Sequence, residues 1–90
     1  MNNNRLPYNQ EVDYRFIKHV RLIRNKTQKE FEHFMEVDAS TIGKLERGEL
    51  AFTPTYQERF KKAMKRLRVS NVEIANIRNI LEMKTRKGYK

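Results

Sequence analysis

Ninety residues support one small domain with a modest core and leave little room for an enzyme built around a buried cleft. Twenty Lys and Arg against eleven Asp and Glu give a net charge of +9, which favours a polyanionic partner, nucleic acid or a membrane surface. Cys is absent, which excludes a disulfide scaffold and a thiolate metal site, and His19 and His33 are too few and too far apart for zinc, so no metal or cofactor is expected.

No apolar run approaches the roughly 18 residues of a membrane span, and the first residues lack the pattern of an export signal. The expectation is a soluble, cytoplasmic chain that does not engage a membrane. Residues 1–12 read as a flexible arm, with four Asn, a Pro and little periodicity, in which Arg5 is a candidate for reaching a DNA backbone or minor groove.

A first helix is expected from about Asp13 to Asn25, burying Phe16, Ile17, Val20 and Ile23. The next stretch, Thr27 to Gly48, predicts two short helices joined by a tight turn. Thr27 and Glu30 form a capping box, and Phe31, Phe34 and Met35 recur at helical spacing. Asp38 caps the second of these helices, Ala39 to Arg47, which Gly48 ends. Ile42 and Leu45, with Val37 ahead of them, face inward, leaving Ser40, Thr41, Gly43 and Lys44 outward or sideways. Hydroxyls and a Lys on one exposed helix face suit the edges of bases in a major groove, where Lys favours guanine. An ordinary helical hairpin with a solvated face has the same periodicity, so both readings stand.

Leu50 and Phe52 should pin the following loop to the core. Thr55 with Glu58 makes a second capping box, Pro54 standing just outside, for a helix striped by Tyr56, Phe60, Ala63, Met64 and Leu67. Six cations and no anion lie between Arg59 and Arg68, either a solvated face or a row over phosphates. Ser70 with Glu73 opens a fifth helix running to about Met83, with one apolar stripe of Ile74, Ile77, Ile80 and Leu81 and another of Val72, Ala75 and Met83. Two stripes call for two partners, the domain and a second subunit. Residues 85–90 are a basic tail, disordered in this reading.

The stretch from Thr27 to Gly48 resembles the helix-turn-helix of the Cro and lambda-repressor-like family, of the xenobiotic response element type. Thr27, Gln28, Phe31, Met35, Val37, Asp38, Thr41, Ile42, Leu45, Glu46, Arg47 and Gly48 fall in register with its pattern. Two positions depart from it, Glu32 where the family carries a small residue and Glu36 where it carries a turn Gly. The resemblance implies an all-α, five-helix domain, with residues 13–69 as the DNA-binding unit and 70–84 as a C-terminal dimerisation helix using Ile74, Ile77, Ile80 and Leu81. It places Ala39, Ser40, Thr41, Gly43 and Lys44 at base edges and Gln28, Lys29 and Arg47 on phosphates. It also implies a structural ion pair between Arg21 and Glu46, worth roughly 3 kcal/mol to either partner if buried.

The function expected is therefore a homodimeric, sequence-specific regulator of transcription bound to double-stranded DNA, a repressor of bacterial or phage type. No constellation for catalysis is present, so the protein is not expected to be an enzyme. The alternative is a protein-interaction module, antirepressor-like or antitoxin-like, that keeps the fold without reading DNA and masks a regulatory partner. Glu32 and Glu36 favour it; the net charge opposes it. Non-specific RNA binding lacks an aromatic platform.

Overall fold

The turn that follows the second helix sets the arrangement of the others. In a computed structural model, which describes residues 11–86, α2 (Gln28–Met35) packs on both α3 (Ala39–Glu46) and α4 (Pro54–Arg66), while α1 (Arg15–Ile23) lies across α3 and α5 (Asn71–Arg86). The described residues contain these five helices and no strand. Arg5 and the expected arm up to residue 10 lie outside the described residues, as do tail residues 87–90.

Capping chemistry fixes most of the boundaries. The Thr27 hydroxyl accepts from Glu30 N–H at 3.0 Å while Glu30 accepts from Thr27 N–H at 2.9 Å. Ser70 and Glu73 repeat this at α5, with 2.8 and 3.1 Å. At α4 the expected Thr55–Glu58 box does not form. The cap is Thr53, accepting from Tyr56 N–H, with Pro54 inside the first turn. Pro suits that place because it has no N–H to leave unsatisfied and its φ is already helical. The helices end on left-handed residues: Asn25, Glu36, Gly48 and Arg68 all have φ between 55° and 75°. At Gly48 the ring of Tyr14 comes within 3.2 Å of where a Cβ would stand, so the position excludes a side chain on two grounds.

One core joins all five helices. Ile17 and Val20 of α1, Phe31 and Met35 of α2, Ile42 and Leu45 of α3, Phe60 and Met64 of α4 and Ile74 of α5 are fully buried, each contributing roughly 2 kcal/mol. Leu50 and Phe52 pack against it from the loop, and Val12 already touches it, so the packed chain begins before the expected boundary at residue 13. Ile23 does not belong to this face. Helix α1 ends there, and its side chain is exposed. Helix α5 runs to Arg86, beyond the expected end at Met83, so Lys84 is helical.

The larger correction concerns α5. Ile74, Ile77 and Leu81 are buried in the domain's own core and are not available to a second subunit, whereas Ile80 is 44 % exposed. The same helix leaves Val72 and Met83 exposed at 69 % and 53 %. The core-facing stripe is the one nearest α1, because antiparallel packing puts Glu73 beside Arg24 and Arg78 over the Phe16 ring.

Candidate functional site

Helices α2 and α3 form one rigid unit, and three polar contacts hold it. Arg21 of α1 reaches Glu46 of α3 with a forked pair, Nε to Oε2 at 2.8 Å and Nη2 to Oε1 at 3.1 Å. Both side chains are nearly enclosed, at 11 % and 6 % exposure. The third guanidinium arm donates to the Lys26 carbonyl at 3.1 Å. Gln28 then brings its amide to Glu46 Oε1 at 3.0 Å, so one carboxylate ties α1, α2 and α3 together.

The second contact comes from Glu32, which accepts the Ala39 N–H at 2.7 Å and thereby caps α3 from the neighbouring helix. Lys29 pairs with the same carboxylate at 3.3 Å. Asp38 caps α3 from its own chain position, accepting from Thr41 N–H at 2.7 Å. Hydrogen bonds from Thr41, hydroxyl and amide, hold the Asp38 carboxyl below the usual range.

The third is the turn itself. Glu36 adopts the left-handed conformation that Gly accepts without cost, and a residue with a Cβ gives up roughly 1 kcal/mol there. Two α4 cations offset it. Arg59 donates to the Glu36 carbonyl at 3.0 Å, and Arg66 donates to the Phe34 carbonyl at 3.2 Å and to the Glu36 carboxylate at 2.9 Å. The Arg66 guanidinium holds that carboxyl below its ordinary value. Thus the carboxylates at 32 and 36 each take up backbone groups or cations at a helix end.

What remains outward on α3 is narrower than the sequence pattern suggests. Ser40 and Lys44 are exposed and Thr41 is half-buried, its hydroxyl drawn to Asp38. Ala39 is half-buried beneath Glu32. Gly43 is buried and points sideways, its missing Cβ facing Arg47 Nη1 at 3.2 Å and the Gln28 amide at 3.5 Å, so it does not present an edge to a ligand. Among the residues expected on phosphates, Lys29 and Arg47 are exposed, and Arg47 rests on Glu49 at 2.8 Å. Gln28 is turned inward.

A second network went unread in the sequence. Arg24, one turn after Arg21, donates to the Leu67 and Arg68 carbonyls at 2.9 and 3.0 Å and forks onto Glu73 at 2.9 and 2.8 Å. The guanidinium beside it pulls the Glu73 carboxyl down to about 2. The Ser70–Glu73 box signals a cap but not that the same carboxylate serves another helix. Among the described residues no group of three His, Asp or Glu could hold a metal, and no helix is long and apolar enough to cross a membrane. Comparison with protein-family models, with curated proteins and with solved structures finds no match in any of the three.

Proposed function

We propose that the chain is a sequence-specific DNA-binding regulator of transcription, of bacterial or phage type, in which α2 and α3 act as a helix-turn-helix of the Cro and lambda-repressor-like kind. The observation that carries this reading is α3 itself: its inner side is fixed by Ile42, Leu45 and the Arg21–Glu46–Gln28 network, and its outer side offers Ser40 and Lys44. A short helix held rigidly and bearing a hydroxyl and an ammonium is equipped to enter a major groove. Lys44 donates to guanine, Ser40 and the remaining lone pairs of Thr41 meet neighbouring bases, and Lys29 and Arg47 rest on phosphates. Gln28 acts by orienting α3.

One such helix reads only a few base pairs, so the protein works as a homodimer on a pseudo-palindrome. The interface in this reading is the outer stripe of α5, Val72, Ile80 and Met83. The role is binding in the cytoplasm, not catalysis. Selection from random-sequence DNA followed by footprinting tests it: an enriched, two-fold symmetric site is expected, and Lys44→Ala should relax the preference at one base pair while keeping overall binding within about tenfold. Failure to enrich any sequence would remove the proposal.

A second reading has its own observation. From Lys26 to Glu49 six carboxylates outnumber four cations, and Glu32 and Asp38 crown the amino end of α3, where a DNA phosphate would otherwise approach. This favours an interaction module that docks a basic regulatory protein. It predicts no enriched DNA site.

A further inference from the structure

The positive charge of this protein does not sit where base reading would place it. The α2–α3 unit is locally acidic, and the strongest cationic surface is α4 with Arg68 just beyond its end, whose cations divide into those that hydrogen-bond to α2 and those that do not. Arg59 and Arg66 face α2 and are spent on Glu36 and the end of α2. Lys61, Lys62, Lys65 and Arg68 are exposed, and no salt bridge among the described residues engages them. Lys61 and Lys65 stand one turn apart on α4, about 6 Å along its axis; Lys62 lies towards the Arg59–Arg66 row beside Glu36, and Arg68 stands just beyond the helix end, where the backbone turns left-handed.

We propose that this face of α4 is a second, sequence-blind docking surface for the phosphate backbone of duplex DNA, distinct from the α3 surface. Three features select the duplex. Large exposed apolar side chains occur on α1 and α5 and at Tyr14 but not on α4, so this face has nothing to insert into a lipid surface. The aromatic residues of α4, Phe60 and Tyr56, are turned to the core, which leaves no platform for unpaired bases. A cluster of exposed cations at the carboxyl half and end of α4 matches a rigid polyanion that carries a charge every ~1.7 Å. The surface is separate because α3 and α4 each pack chiefly on α2, and Lys61 borders Glu11, Val12 and Gln57 rather than any residue of α3. Such a protein holds DNA through α4 while α3 samples sequence, or bridges two segments.

The inference goes beyond the regulator reading and does not require it. The test compares wild type, the variant K61Q/K62Q/K65Q/R68Q and the variant S40A/K44A, each checked for helicity by circular dichroism, on a random-sequence duplex and on the best sequence selected by the wild type, over a range of salt. Each lost phosphate contact lowers the slope of log K against log salt by about 0.9, so the α4 variant, short of four cations, should lose about 3 in slope on the random and the selected duplex alike and keep the preference between them. The α3 variant should lose the preference and keep the random-duplex slope. An α4 variant that binds random duplex as wild type does, or that loses the sequence preference while its slope stays unchanged, overturns the proposal. So does a wild type that binds vesicles of anionic phospholipid and not duplex. If selection enriches nothing while the α4 variant still loses its slope, the α4 surface stands and the regulator reading falls.

Discussion

Helix α1 carries two arginines one turn apart, and their fates differ. Arg21 is enclosed against Glu46 and Gln28 and ties α1 to the α2–α3 unit; Arg24 is a quarter exposed against a Glu73 that is 34 % exposed, and ties α1 to α4 and α5. Geometry is equally good at both, a forked pair with backbone carbonyls completing the donors. Solvent makes the difference. A buried pair that loses a partner strands a charge in a low dielectric, while an exposed pair hands its orphan to water. The α3 surface is therefore rigidly set, and α5 owes its place to apolar burial more than to its clamp.

The largest expected effect tests that last statement. Ile77→Lys with Leu81→Lys should unfold the domain, because both side chains are in the core and two buried ammonium groups have no partner. Circular dichroism and sedimentation equilibrium would show loss of helix; a folded, soluble monomer would mean that α5 is detachable and the inner stripe an interface after all. Next, Arg21→Ala should cost about 3 kcal/mol in urea denaturation, and Arg24→Ala about 1, a separation that collapses if exposure is not the governing variable.

Acid titration sharpens the exposed side of the comparison. The Glu73 carboxyl lies near 2 when folded and returns to its ordinary value of 4.5 when unfolded, so its contribution is fully present above pH 4.5 and is lost as pH falls towards 2. After discounting for its one-third exposure, that contribution is about 1 kcal/mol. Stability curves of wild type and Glu73→Gln should accordingly differ by this amount at neutral pH and converge between 4.5 and 2. Curves that stay parallel to pH 2 would assign the acid response to other carboxylates. The smallest effect concerns the Gln28 arm of the enclosed network. A Cβ at Gly43 meets only the flexible ends of Arg47 and Gln28, so Gly43→Ala should be stabilising by about 0.5 kcal/mol through helix propensity. A loss of 1 kcal/mol or more would show that Gln28 cannot give way.

Local chemistry determined much of this molecule from the sequence alone. The Thr27–Glu30 and Ser70–Glu73 boxes, the Asp38 cap and the apolar periodicity of Phe31, Met35, Ile42 and Leu45 depend on residues within a turn or two of one another, and such signals survive in any context. Tertiary structure decided the rest. Which of two apolar stripes on α5 would meet the domain depended on how α1 lies across it, and a 3.6-residue period is silent on that. The start of α4 turned on competition between Thr53 and Thr55 for a helix that also had to seat Pro54. Gly43 became part of the interior only once Gln28 and Arg47 closed over it. The Glu32 carboxylate takes the Ala39 N–H of α3, Arg24 donates to the Leu67 carbonyl at the end of α4, and the carbonyl of Glu36 takes Arg59, because an unsatisfied helix end draws whichever long polar side chain the packing brings within reach.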